Sequence, residues 1–533
     1  MQHLTNRQKI AIMIGIMSAM FFAAINQTIT STAMPRINAL LHGGDLYTWV
    51  VTIYMLTSTI STVLSGKLSD IYGRKPFLLI GIVFFIIGAF LCGTSVNIHQ
   101  MIIYRGIQGV GGGIIMATSI TAVGDLFAPR ERAKWTGLLM AVFGFSSVIG
   151  PTLGGWMVDH MNWEWIFWIF LPLGAVSFVL IARLFPKSER NLSEKLDYWG
   201  SLFLTLTIVP LLLGITWAGT KYPWISTETL GLFALALIAM VLFIIVERKA
   251  ASPVMPLSLF KNDIVTISNA AGFLMNAGML GALIYLPFFV QGVEGISPTY
   301  SGYVTMPMSL AMIVLSALTG RWMTQTGKYK RYALLGVAIM TIGMLMMAFM
   351  NSVPFAIASM IVFGLGLGLG MPVFTLAAQN AVSTAELGVV TASSQLFRNL
   401  GGTIGIAVMG SIMTSRLTHN IQAASSAEGS IDLSKLDPET MELLKPLQDP
   451  QILLNKPELD KLQAALPEQL QGAVTHWIDM LRDALSSSLT TVFLVGATLL
   501  AIALLLVFFL REIPLRSAES RVRTQGEAQK DPA

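Results

Sequence analysis

The chain has 533 residues, of which 54% are hydrophobic and only 12% charged, with a mean hydropathy of +0.68. A water-soluble domain carries about 25% charged residues, so the composition excludes one and predicts an all-α integral membrane protein. The formal charge of +5 sits in the loops, a topology signal and not a nucleic-acid footprint, and a single cysteine, Cys92, excludes a disulfide framework or a thiolate metal site.

Met1 to Ile10 is short and basic and runs straight into the first apolar stretch without a small-residue cleavage site. It reads as the approach to a first membrane helix and not as a removed signal peptide. Fourteen stretches have about the 20 residues that cross the hydrocarbon core: 10–33, 47–65, 76–95, 101–124, 135–157, 165–182, 199–218, 229–246, 266–290, 300–320, 332–350, 354–377, 391–415 and 485–510. An even count puts both termini on one side. Of the 34 lysines and arginines, 24 fall in the termini and loops of that side and 8 on the other, six of these in one long segment. The positive-inside rule discounts long segments, so both termini are expected in the cytoplasm of a cell-membrane protein. Two arginines, Arg105 and Arg398, remain inside the spans.

Between the second and third spans, Gly66 to Lys75 reads G-K-L-S-D-I-Y-G-R-K. It predicts a tight cytoplasmic loop with a glycine at each bend. Asp70 and Arg74 are close enough to pair with each other or with the next helix ends. Gly66, Asp70, Gly73, Arg74 and Lys75 are therefore candidates for a latch that holds one conformation closed.

Arg105 lies early in the fourth span, in R-G-I-Q-G-V-G-G-G. A cation in lipid is costly and faces a cavity or a partner, and Gly106, Gly109 and Gly111 to Gly113 admit a neighbouring helix. Coupling or gating is the expected role, with pairing to a backbone carbonyl as the alternative. In the fifth span, Gly150-Pro151-Thr-Leu-Gly154-Gly155 is expected to interrupt and kink the helix, because proline removes a backbone hydrogen bond and the glycines let a neighbour slide.

Gly320 to Lys328 repeats the Gly66 spacing 254 residues later, with Thr324 at the Asp70 position and Lys328 at the Arg74 position. Two six-helix halves with two helices inserted between them explain that offset. The halves are placed at 1–198 and 251–511 and the inserted pair at 199–250, with an external segment at 416–484 and a cytoplasmic tail at 512–533. The long segment holds six basic and eleven acidic residues between 416 and 483, with amphipathic runs at 457–465 and 469–485. It is read either as a cap over the outer mouth or as a tolerated surface insertion. Gly364 to Gly370 alternates glycine with leucine but lacks the Lys-Ser/Thr ending of a phosphate-binding loop. It reads as a helix-packing face. No nucleotide-driven pump, cofactor or metal site is expected.

These motifs, with Asn162-Trp-Glu-Trp-Ile-Phe167 opening the sixth span and Gln395-Leu-Phe-Arg398-Asn-Leu-Gly-Gly in the thirteenth, resemble those of the fourteen-helix drug:proton antiporters of the major facilitator superfamily. The likeness covers roughly residues 10–415 and the last span. It implies the major facilitator fold, twelve core helices plus two inserted ones. It also implies export of lipophilic, often cationic compounds in exchange for protons by alternating access, with substrates, protons and membrane lipids as partners of a monomer. Such antiporters usually carry an aspartate in the first helix where this chain has Asn26. None of the fourteen apolar cores contains an Asp or Glu. Protons are then carried by Asp125 or another helix-end acid (Asp159, Glu164, Glu294 or Glu386), or the chain is a variant with weakened coupling. A lipid or glycolipid translocase on the same fold is the alternative function; the intact motifs argue against a non-transporting drug sensor. By position, the substrate cavity is expected to draw on Asn26, Gln27, Tyr54, Asn276, Tyr285, Gln379, Gln395, Arg398 and Asn399 in an otherwise apolar wall. The 30 methionines suit a surface that repacks around varied ligands.

Overall fold

Lipid offers the backbone no hydrogen-bond partner, so each apolar stretch satisfies its own amides as a helix. The computed structural model describes residues 5–41, 46–186, 197–218, 221–250, 252–296, 298–383, 386–425, 453, 459, 461–462 and 468–515. Its long helices are α1 (Asn6–Leu40), α2 (Tyr47–Tyr72), α3 (Arg74–Gly93), α4 (Ile98–Leu126) and α5 (Pro129–His160). The short α6 (Trp165–Trp168) leads into α7 (Leu171–Leu184), and the two make one span. Then come α8 (Tyr198–Trp217), α9 (Thr227–Lys249), α10 (Asp263–Pro287), α11 (Pro298–Thr326), α12 (Lys330–Ala348), α13 (Val353–Asn380), α14 (Leu387–Ser425) and α15 (Glu468–Phe508). Among the described residues, fourteen segments are long and apolar enough to cross a membrane, as the sequence predicts. Polar caps start several of them: Asn97, Asp197, Ser226 and Asn262 each accept a hydrogen bond from a first-turn backbone amide.

The apolar interior divides. One cluster joins α1, α3, α4, α5 and α7, and a larger one joins α10 to α15. Within each half, backbones approach closely because glycines face them. A Cβ at Gly88 of α3 would stand 2.5 Å from the Gln108 backbone nitrogen of α4, and one at Gly336 of α12 would stand 2.5 Å from that of Gly370 in α13. The Gly364 to Gly370 run lies against Met308 and Met312 of α11 and Gly336 and Met340 of α12, so it is a packing face. The inserted pair is unequal. Helix α8 packs on α2 and α14, one from each half, whereas α9 packs mainly on α8 and leaves much of its surface outward.

Two expectations change. Gly66 to Tyr72 is not a loop but the last two turns of α2, and a single residue, Gly73 with φ 94° and ψ 154°, separates α2 from α3. A helix costs less than a loop here because its backbone stays bonded down to the membrane edge. Helix α5 runs through Gly150 and Pro151 without interruption; the surroundings of Pro151 and Gly155 lie outside the described residues. The run at 469–485 belongs to α15, which continues into the last span. Most of 426–467, including the run at 457–465, and the tail from 516 lie outside the described residues.

The backbone at Gly73 is one that only glycine adopts readily, and a side chain there costs about 1–3 kcal/mol. Gly73→Val is expected to lower the unfolding temperature of the purified chain. Gly231→Ala on α9, where an added Cβ meets nothing within 4 Å, is expected to leave it unchanged or raise it.

Candidate functional site

Two polar constellations interrupt the apolar interior. The first lies at the face where the described chain begins and ends. Arg74, 4% exposed at the start of α3, is held from three sides. Its Nε donates to Asp125 Oδ2 of α4 at 2.8 Å, its Nη1 to Ser69 Oγ at 2.5 Å, and its Nη2 to Asp70 Oδ1. Lys75 Nζ donates to the Phe185 carbonyl at the end of α7 at 2.7 Å. Asp70 Oδ2 is buried with no hydrogen-bond partner. It lies over the first turn of α14, so close that a Cβ at Gly388 would collide with both Asp70 oxygens and the Gly66 carbonyl. A helix start carries unpaired amides and partial positive charge, so a carboxylate from α2 meets complementary charge on α14. Gly66 is thus not at a bend; it is the small residue that lets α2 touch Gly388 and Ala392.

The second is a cavity of about 240 Å³ between the two halves. Gln27, Tyr54, Asn276, Gln395, Arg398 and Asn399 line it. So do Ser58, Thr59, Thr62 and Thr403, Phe143, Leu280, Leu212 of α8, and six methionines: Met20, Met55, Met116, Met140, Met279 and Met371. Arg398 donates through Nε (3.1 Å) and Nη2 to Gln395 Oε1, and Nη1 has no partner. Asn276 Nδ2 donates to the Arg398 carbonyl at 2.7 Å, and Asn399 Nδ2 reaches Thr59 Oγ1 of α2 at 3.4 Å.

Asn26, Tyr285 and Gln379 do not line this cavity. Asn26 is fully buried behind it, where its Oδ1 accepts from Gln108 Nε2 at 2.8 Å. Gln108 Oε1 in turn accepts from Arg105 Nη1 at 2.6 Å, and the Arg105 guanidinium stacks 4.4 Å from the centre of the Tyr54 ring. No carboxylate reaches Arg105 among the described residues, and both its Nε and Asn26 Nδ2 lack a partner. Tyr285 donates weakly to the Ile406 carbonyl, at 3.4 Å, and Gln379 donates to Thr391 Oγ1 at 2.9 Å. Ser58, Thr59 and Thr62 of α2 went unread in the sequence, although Ser58 and Thr62 follow Tyr54 at intervals of four residues and so share its helix face.

The sequence profile of the Major Facilitator Superfamily matches residues 16–406. The chain belongs to the major facilitator superfamily. It is a membrane transporter and not an enzyme. It is 38% identical over 531 residues to the multidrug transporter protein MdtP of Bacillus subtilis (strain 168), covering 97% of this chain and 95% of that one. It is 31% identical to multidrug resistance protein 3 of the same organism, covering 97% of each. The proton:xylose symporter XylE shares its fold, with a TM-score of 0.61 at 14% identity over 98% of this chain and all of that one.

In this major facilitator chain the halves meet along two seams. One is α2 against α14, described above. The other is α5 against α11: a Cβ at Gly137 would stand 2.5 Å from the Ser316 carbonyl, and one at Gly320 2.5 Å from that of Ala133. Ser316 Oγ also donates to the Gly137 carbonyl at 3.3 Å. The two glycines that open the repeated motif, Gly66 and Gly320, thus each serve one seam. The polar parts differ. Thr324 bonds within its own helix, and Glu512 accepts from the Tyr329 and Lys330 amides where an Arg74-like clamp is missing. Further along α5, Gly150 and Gly154 face Thr28 and Ile29 of α1, and Thr28 Oγ1 donates to the Ser146 carbonyl at 3.0 Å.

A side chain at Gly388 overpacks the α2–α14 seam. Gly388→Val is expected to cost the closed arrangement about 1–3 kcal/mol, a shift of about fivefold to a hundredfold in a two-state balance. The measurement is labelling of a cysteine introduced at Ser316, which is fully buried. Labelling should accelerate in the Gly388→Val background and stay slow without it.

Proposed function

We propose that the chain exports lipophilic small molecules of varied shape by alternating access. The observation that carries the reading is the cavity: it lies between the halves, is lined by residues of both, and ends where the α2–α14 and α5–α11 seams press together. Its methionines suit varied ligands because thioether chains repack at low cost, and a few polar groups suffice to orient what enters. The likeness to MdtP supports multidrug transport. The distribution of lysine and arginine supports a cytoplasmic position for the closed face, in the cell membrane. The halves, taken as 1–198 and 251–511, then rock about the cavity while the Gly150 and Gly154 surface slides on α1.

Proton exchange is assigned to the latch. Among the described residues no carboxylate lines the cavity, whereas Asp70 and Asp125 both hold Arg74 at the closed face. A proton on either acid removes an ion pair from that clamp and loosens the seam. Arg105 contributes by fixing Gln108 and Tyr54. A lipid or glycolipid translocase is less well supported: such a substrate enters from the side, and α8 lies across the α2–α14 seam while glycine contacts close the other.

The test is dye efflux from liposomes containing the purified chain, with a pH gradient imposed and then collapsed by an ionophore. Gradient-driven efflux that stops on collapse is expected, and absence of dye movement overturns the export reading. In the same assay Asn26→Asp should make efflux more dependent on the gradient, because it places a titratable group on the Gln108–Arg105 chain. An identical response in both versions removes Asn26 from the coupling path. Asp70→Asn should lower gradient-driven efflux at least tenfold, since an amide keeps the shape but not the charge that holds Arg74; an unchanged rate would leave the latch without a part in coupling.

A further inference from the structure

We infer that the cavity is a site for organic anions: a lipophilic body carrying one carboxylate or sulfonate, seated on Arg398. The inference deepens the export reading and rests on it for its physiological meaning, although binding alone tests it.

Three observations carry it. The guanidinium of Arg398 spends Nε and Nη2 on a single acceptor, Gln395 Oε1, and keeps Nη1 buried and unpartnered at the cavity wall. The side chain is also held in place. Asn276 anchors the Arg398 carbonyl, and its methylenes pack on Gly272, where a Cβ would stand 3.3 Å from Cγ. Most tellingly, among the described residues no Asp or Glu lines the cavity and none pairs with Arg398.

The charge that stacks on the lining residue Tyr54 has the same sign. Arg105 lies behind Tyr54 with only an amide oxygen as hydrogen-bond partner, so one guanidinium lines the wall and a second stands behind it, with no counter-charge among the described lining residues. A pair of positive charges in a low-dielectric enclosure attracts an anion and repels a cation. Cations are often held over an aromatic face, but the Tyr54 face is already taken by Arg105. A planar guanidinium matches a carboxylate or sulfonate in geometry as well as charge. The apolar remainder, with methionines, Phe143 and Leu280, suits the body of such a molecule.

The experiment compares two dyes that share a xanthene skeleton, fluorescein as the anion and rhodamine 123 as the cation, by fluorescence anisotropy on the purified full chain in detergent. The wild type is expected to bind fluorescein more tightly. Arg398→Gln should weaken fluorescein binding about tenfold to a hundredfold, the usual value of a charge-assisted hydrogen bond, and shift the ratio of affinities toward rhodamine 123. Arg398→Lys, which keeps the charge without the fork, should recover part of that ratio. Tighter binding of rhodamine 123 by the wild type overturns the inference, as does a ratio unaltered in a helical, monodisperse Arg398→Gln protein. If fluorescein binds through Arg398 yet neither dye crosses a liposome membrane, the anion site stands and the export reading fails.

Discussion

Close backbone contact at glycine is the constraint on which this structure depends. Lipid supplies no hydrophobic drive between helices, because its tails are as apolar as the side chains, so association relies on near approach and on the few polar groups that meet there. At Gly66, Gly388, Gly137 and Gly320 the approach occurs between halves, where a methyl group would collide with a backbone or with Asp70. Interfaces of this kind are tight yet lack interlocking side chains, which lets a pair of helices part and rejoin. The two halves are therefore joined at one face by contacts that are close but few in kind, with the cavity above them.

Charge is treated differently at the rim and in the interior. At the rim, Arg74 is held by two carboxylates and a hydroxyl, and the acid that reaches past it meets the start of a helix from the other half. In the interior, among the described residues, Arg105 and Arg398 have only amide oxygens as hydrogen-bond acceptors. A buried cation without a carboxylate is costly to retain. For Arg398, which lines the cavity, the anion site proposed above gives that cost a reason; Arg105 holds Gln108 and Tyr54 in place. The arrangement ties Asn26 to this pattern: an amide at that position can only relay a hydrogen bond through Gln108, whereas a carboxylate would neutralise the region.

The inserted helices also take a definite place. Helix α8 contributes Leu212 to the cavity and packs on both α2 and α14, while α9 lies outside it. One helix thus borders the cavity and both halves, and the other packs mainly on that helix. Nothing in the composition of residues 199–246 distinguishes them, since both are uniformly apolar.

The sequence alone determined the number of spans, the side favoured for the termini, the internal repeat and the segments that carry the latch. Each rests on local quantities: hydropathy over about 20 residues, charge count per loop, and motif spacing. It also singled out six of the polar residues that line the cavity, because a polar group in an apolar span must face something other than lipid. It did not decide which of these face the cavity and which face another helix. Asn26 and Gln27 are adjacent, yet one bonds to Gln108 behind the wall and the other lines it. That choice is made by rotation of α1 against α4 and α5, through contacts more than a hundred residues apart, such as Thr28 with Ser146. The Gly66 motif was likewise read as a loop because its residues are polar. Only the packed structure makes it a helix end, with Asp70 aimed at a partner 318 positions further along the chain, Gly388. That no carboxylate among the described residues stands opposite Arg398 was decided in the same way, by which helices the fold brings to face one another.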